Sequence, residues 1–328
     1  MKFLKNEISP LGMGCWPIGG KMYWGEQSLG YTRSDDDVSI RTIHAALDGG
    51  INLFDTAAAY GAGHSERLLG KALKGRPDAL VVTKIGVGID EASRQISFEP
   101  FTSDQVGPAV EGCLSRLGRD RIDLLLLHVN DMPIGNAEAL FDELDRLRDS
   151  GKLRAFGWST DYSKSVSAVS ARHNFKAVEY VMNVFFDAPR MQKVVQDNGL
   201  LSLIRSPLAM GLLSGKYDQN TVMASDDVRA SGEDWMEYFK EGGANPDFLR
   251  KLDAVRDLLT SDGRTLVQGA LGWIWGQSEN YVPIPGARTV DQIEGIAGAL
   301  IFGALPAATM NEIETLLPRL PHEPDRPR

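Results

Sequence analysis

The chain is poor in several features that would mark other kinds of protein. Its 328 residues include only two cysteines, Cys15 and Cys113, too few for a disulfide framework. A reducing, cytoplasmic compartment is therefore expected. No stretch approaches the ~18 uninterrupted apolar residues that a membrane-spanning helix needs. The opening segment, MKFLKNEISPLG, lacks the apolar core of a secretory signal. No basic run is present, and the net charge is −9, which argues against nucleic acid as a partner because phosphate binding needs a basic face. The histidines, His44, His64, His128, His173 and His322, are scattered without metal-ligand spacing, so no metal centre is expected. Linkers and internal repeats are missing too. A single domain over 1–328 is the reading, with a Pro-rich, charged tail at 319–328 that frays.

What is present is a rhythm. Eight short apolar runs recur: LGMGCW, INLFD, ALVVTKIG, IDLLLLHVN, LRAFGWST, VEYVMNVFF, LLSLIRS and YVPIPG. Most are apolar nearly throughout, as strands covered on both faces must be. Helical stripes lie between them: Ile40, Ile43 and Leu47; Val110, Leu114 and Leu117; Leu140, Leu144 and Leu147. LDGG at 47–50 reads as a helix stop with a left-handed glycine. Strand–helix alternation means parallel strands with helical crossovers. Eight rounds close an α/β barrel of the (β/α)8 TIM type, with its site at the C-terminal strand ends. Two connections are long, GVGIDEASRQISFEPFTS after the third strand and the segment 218–247 after the seventh. Long loops in a compact domain are commonly lids or binding loops.

The strand ends carry polar groups: Asp55, Lys84, His128, Ser159 with Thr160, Asn183, and Arg205 with Ser206. In a barrel they converge on one mouth. Tyr60 follows Asp55 in the stretch AAAYGAG. A free phenol, with a pKa of ~10, is a poor donor at neutral pH. A lysine ammonium beside it favours the phenolate, and an aspartate keeps that lysine charged. A histidine there orients a carbonyl oxygen. Asp55, Tyr60, Lys84 and His128 thus read as a proton-transfer device.

The stretches LGMGCWPIGG, FDTAAAYGAGHSERLLGKAL, VVTK, LLLLHVND, FGWST, SPLAMGLLSGKY and IPGARTVDQIEG, in this order, resemble the aldo-keto reductases from Leu11 to about Leu317. The resemblance implies NADP(H) extended across the barrel mouth and hydride transfer between nicotinamide and a small-molecule carbonyl compound. Tyr60 would protonate the oxygen, Lys84 and Asp55 would tune Tyr60, and His128 would position the carbonyl. Cofactor contacts are expected from Cys15, Trp16, Asp55, Ser159, Thr160, Asn183 and Arg205. Further contacts are expected from Ser206, Leu208, Gly211, Ser214 and Lys216, then Gly286, Arg288 and Gln292. Small residues let backbone N–H groups approach a pyrophosphate, and Arg288 at a helix start suits a 2′-phosphate. Substrate contacts are expected from Trp16, Tyr23, Trp24, Tyr60 and His128. Four positions depart from the family pattern: Thr160 where Asn is common, Asn183 where Gln is common, Arg205 where an aromatic stacks on nicotinamide, and Gly295–Ile296 where Glu-Asn faces adenine. A guanidinium can also stack; the last pair offers no side-chain hydrogen bond. Rival readings are an NAD(P)-dependent sugar or alcohol dehydrogenase working oxidatively, and a non-catalytic NADPH-sensing barrel. A monomer or weak homo-oligomer is expected.

Overall fold

The computed structural model describes residues 1–31 and 34–317; the tail expected at 319–328 lies outside them. Eight parallel strands stand side by side in chain order: Gly12–Gly14, Leu53–Asp55, Leu80–Ile85, Ile122–Leu127, Leu153–Ser159, Phe175–Val181, Leu201–Arg205 and Tyr281–Pro283. The first meets the eighth through Gly14 N–H, which donates to Pro285 O at 2.9 Å, and through a parallel bridge between Gly14 and Gly286. The closure needs glycine: a Cβ on Gly14 would lie 2.6 Å from Ile284 O. These contacts close the expected (β/α)8 barrel.

Side chains two apart on a strand share a face. Leu53, Leu80, Val82, Leu124, Leu126, Ala155, Ala177, Leu201, Leu203 and Val282 fill the barrel interior in one buried cluster. Phe3 and Ile8, at the N-terminal hairpin Lys2–Phe3/Asn6–Glu7, join this cluster. The alternate residues face outward onto the helices. Ile43, Val110, Leu114, Leu117, Leu140 and Leu144 meet them as the stripes require, with Ile40 and Leu47 partly buried against the same core. The first long helix, Asp36–Asp48, is capped by Asp35, which accepts from Val38 N–H at 2.8 Å, and Gly50 beyond its end has φ 84°.

The sixth strand differs from expectation. It begins at Phe175 and ends at Val181, so Asn183 lies beyond it. Asn183 Oδ1 accepts from Phe185 N–H at 3.0 Å, a side-chain turn that ends the extended chain although the apolar run continues.

Both long connections fold over the mouth. The loop after the third strand forms the hairpin Gly88–Asp90/Gln95–Ser97. It joins Tyr23–Trp24 and Gln27–Ser28 in one four-stranded sheet. The connection after the seventh strand carries a short turn of helix, Val228–Ala230, and a hairpin, Phe239–Lys240/Gly243–Ala244. Gln27 Nε2 donates to Glu233 Oε1 at 2.6 Å and Val228 N–H to Gly30 O at 3.1 Å, so the two coverings touch. Among the described residues no single helix is long and apolar enough to cross a membrane.

Candidate active site

The polar groups at the mouth stand two residues above interior hydrophobes: Asp55 above Leu53, Lys84 above Val82, His128 above Leu126, Glu179 above Ala177, Arg205 above Leu203. Strand alternation alone turns them inward. Thr83, pointing the other way, donates to Glu66 Oε1 at 2.6 Å, and Glu66 pairs with Arg116 Nε at 2.6 Å. Ser65 donates to Cys15 O at 3.0 Å and accepts from Thr56 at 2.8 Å. The Ser-Glu of GHSE is therefore a buried anchor that fixes the segment carrying Tyr60. Gly61 (φ 64°) allows that segment to touch Gly19: a Cβ there would meet Gly19 O at 2.0 Å.

Lys84 is fully buried at the centre. Its Nζ donates to Asp55 Oδ1 and Oδ2 at 2.6 and 2.7 Å, to Thr56 O at 3.0 Å and to the Tyr60 hydroxyl at 3.3 Å. Glu179 Oε2 lies 3.2 Å from the same nitrogen, and Ser159 Oγ donates to Glu179 Oε1 at 3.3 Å. Burial pulls the Lys84 ammonium down, but Asp55 and Glu179 outweigh it and hold it above the ordinary lysine range. Burial and then the Glu179 charge push the Asp55 carboxyl well above its usual range, against the pull of Lys84. The Tyr60 ring stacks on Trp16 at 5.9 Å and meets His128 edge-on at 5.8 Å.

These groups open into a cavity of about 920 Å³. Of the expected residues, Trp16, Trp24, Asp55, Tyr60, His128, Arg205, Ser206 and Leu208 line it, as do Gly211, Ser214, Lys216, Gly286, Arg288 and Gln292. Gly295 and Ile296 line it as well. Others do not. Asn183 donates to Ser206 O at 3.0 Å and to the Tyr238 hydroxyl at 2.8 Å, so its amide is engaged within the protein. Thr160 donates to Asn130 O at 2.6 Å, and the Cys15 thiol to Met13 O at 3.5 Å. Burial, then Asp55, push that thiol well up. Lys84 and Ser159 lie beneath the floor, and Tyr23 stands off the cavity.

The strand-six group at the mouth is thus Glu179, which sequence reasoning missed. Its signal was a carboxylate inside the apolar run KAVEYV, two residues after Ala177. Also missed were Asp161, ion-paired with Arg205, and the wall of Met22, Leu29, Val87 and Ile96. Above that wall, Trp24 and Phe98 meet edge to face at 5.4 Å.

The cavity runs on from Tyr60 to a stretch with left-handed backbone at Ser206, Ala209, Met210, Gly211 and Gly215, a form that turns N–H groups into one concavity. Beyond it, Thr289 caps the helix Val290–Ala297 by accepting from Gln292 N–H at 3.3 Å. Gln292 Oε1 in turn accepts from Arg288 N–H at 2.9 Å. Arg288 stands 6.0 Å from the Tyr31 ring.

Fold and site together define a barrel oxidoreductase acting on carbonyl–alcohol pairs. The chain belongs to the aldo/keto reductase family, whose model matches residues 10–318. It is 31% identical to the aldo-keto reductase YhdN of Bacillus subtilis (strain 168), over 98% of this chain and 93% of that one. It is 27% identical to the NADH-specific methylglyoxal reductase of Escherichia coli (strain K12), over 89% and 90% of the two chains. The solved glycerol dehydrogenase AKR11B4 from Gluconobacter oxydans superposes with a TM-score of 0.78 at 29% identity, covering 98% of this chain and 96% of that one. The chain is an NAD(P)H-dependent carbonyl reductase of this family.

Proposed function

We propose that this enzyme reduces an aldehyde or ketone with NADPH, Tyr60 giving the proton. One observation carries the reading: the buried Lys84 ammonium touches both the Asp55 carboxylate and the Tyr60 hydroxyl at the floor of an open cavity. The cofactor, when bound, supplies the hydride. Tyr60 faces the carbonyl oxygen, and Lys84 steadies the phenolate left after proton transfer. His128, edge-on to the Tyr60 ring, orients the same oxygen. Trp16 and the apolar wall exclude water and suit an apolar or ring-bearing substrate.

The concave backbone after Arg205 holds the pyrophosphate, and Gly286 leaves room at the crossing. Arg288 takes the 2′-phosphate, which supports NADPH over NADH. Arg205, held by Asp161, stands where an aromatic commonly stacks on the nicotinamide. Initial rates with NADPH and NADH across aldehydes, ketones, quinones and sugars test the reading. Turnover with NADPH supports it, and no cofactor oxidation with any carbonyl sinks it. Likeness to a glycerol dehydrogenase favours a second reading, alcohol oxidation at the same site, measured as NADP⁺ reduction with polyols.

A further inference from the structure

The floor of the mouth holds more negative charge than it balances. Asp55 and Glu179 face one cation, Lys84, at 2.6 and 3.2 Å, and all three are shut from solvent. An ammonium has three protons. The Asp55 carboxylate, Thr56 O and the Tyr60 hydroxyl draw on them at 2.6 to 3.3 Å. Glu179 Oε2 lies 3.2 Å from Nζ as an ion pair, but no hydrogen bond among the described residues is directed at it. Among the described residues the remaining groups at the floor offer no counter-charge. Arg205, from the seventh strand, is ion-paired with Asp161 from beyond the fifth. His128 from the fourth strand and Tyr60 after the second are the other titratable groups at the floor, with the Cys15 thiol behind Asp55 kept protonated by burial and by Asp55.

A buried anion that must share its one cation with a second carboxylate is costly. Only a proton or a cation relieves it. Glu179 lines the same cavity as Tyr60 and His128. On the reading above, on which this inference rests, hydride passes to a carbon whose oxygen lies against Tyr60. The nicotinamide ring must touch that carbon, which puts it at this floor. The ring is neutral when reduced and positively charged when oxidised.

We propose that Glu179 is the counter-ion of the oxidised nicotinamide ring, so that the protein holds the oxidised cofactor more tightly, relative to the reduced one, than a neutral side chain at this position would allow. The oxidised and reduced cofactors carry the same phosphates and sugars and differ at the ring, so their ratio reports on the ring charge.

The test is equilibrium binding, which needs no substrate. Quenching of tryptophan fluorescence, with Trp16 in the cavity wall, gives Kd for NADP⁺ and NADPH, and for NAD⁺ and NADH. Glu179→Gln leaves Lys84 and Asp55 as a balanced pair, so the fold is retained. Glu179→Met has similar length and no charge, and gives a second measurement. Both are expected to raise the ratio of oxidised to reduced Kd by roughly tenfold. Glu179→Asp, which keeps the charge, stays near the wild type. An unchanged ratio in a neutral variant that still binds both forms overturns the inference alone. A wild type that binds none of the cofactors overturns the inference together with the reading beneath it.

Discussion

The floor of the mouth and its rim are built in opposite ways. At the floor, Asp55, Lys84 and Glu179 project from three strands whose registers are locked by parallel ladders, and all are buried. At the rim, Trp24 sits on a short hairpin and Phe98 directly follows another; they are 49% and 56% exposed. The lid is held to the rim by individual contacts such as Gln27 with Glu233 and Ser28 with Asp226. Barrel strands fix the floor groups rigidly; the loops bury their inner apolar side chains, such as Phe239 and Ile96, but leave Trp24 and Phe98 at the rim exposed. Changes at the floor should therefore alter rate and stability, and changes at the rim should alter affinity.

The largest effect is expected from Lys84→Met, which leaves two buried carboxylates without a cation. It should cost ~3–5 kcal/mol of stability, seen in denaturant unfolding, and abolish most turnover. The pH dependence has a definite sign. In the wild type Lys84 is held above the ordinary lysine range, so its contribution is present at neutral pH and is lost only as pH rises beyond that range. Asp55 is raised, so the folded state binds more protons than the unfolded one above the usual carboxylate range, and stability falls as pH rises through that window. The variant should therefore regain stability as neutral solution is acidified. Equal stability of the two proteins at pH 7 would show that this ion pair does not govern the floor.

Next comes Tyr60→Phe, which keeps the ring stacked on Trp16 but removes the donor. A loss of ~10²–10⁴-fold in kcat is expected, with NADPH binding intact. Near-normal turnover would remove Tyr60 from the mechanism. A smaller change is expected away from the floor, in Arg288→Ala. A charge-assisted phosphate contact contributes ~1.5–3 kcal/mol, so the NADPH-to-NADH ratio of kcat/KM should fall roughly tenfold to a hundredfold. If the ratio does not move, Arg288 is a surface charge. The smallest belongs to Trp24→Ala. Losing an edge-to-face pair of ~0.5–1.5 kcal/mol should raise KM roughly three- to tenfold for an apolar substrate and leave kcat alone. A fall in kcat instead would mean that rim and floor are coupled.

Much of this was legible in the chain. Asp55, Lys84 and His128 each interrupt an apolar run at its end. A charge at the end of a buried strand must meet a partner or a cavity, because burying it alone is costly. The eight runs, the helical stripes and the glycine stop at 49–50 likewise follow from local chemistry, since period and turn preference are properties of a few neighbouring residues. Glu179 was hidden because the apolar run carries on through MNVFF, and hydrophobicity does not say where a strand stops. What decided it was pairing: Ser159 stands opposite Glu179 and Val181 opposite Arg205, and the chain turns away at Asn183. The sequence by itself determined the strand count, the barrel and the kinds of group at its mouth. Only the tertiary structure decided which carboxylates share Lys84, because that depends on the register of strands two, three and six, far apart in the chain. A shift of one residue in that register would turn every side chain to the other face.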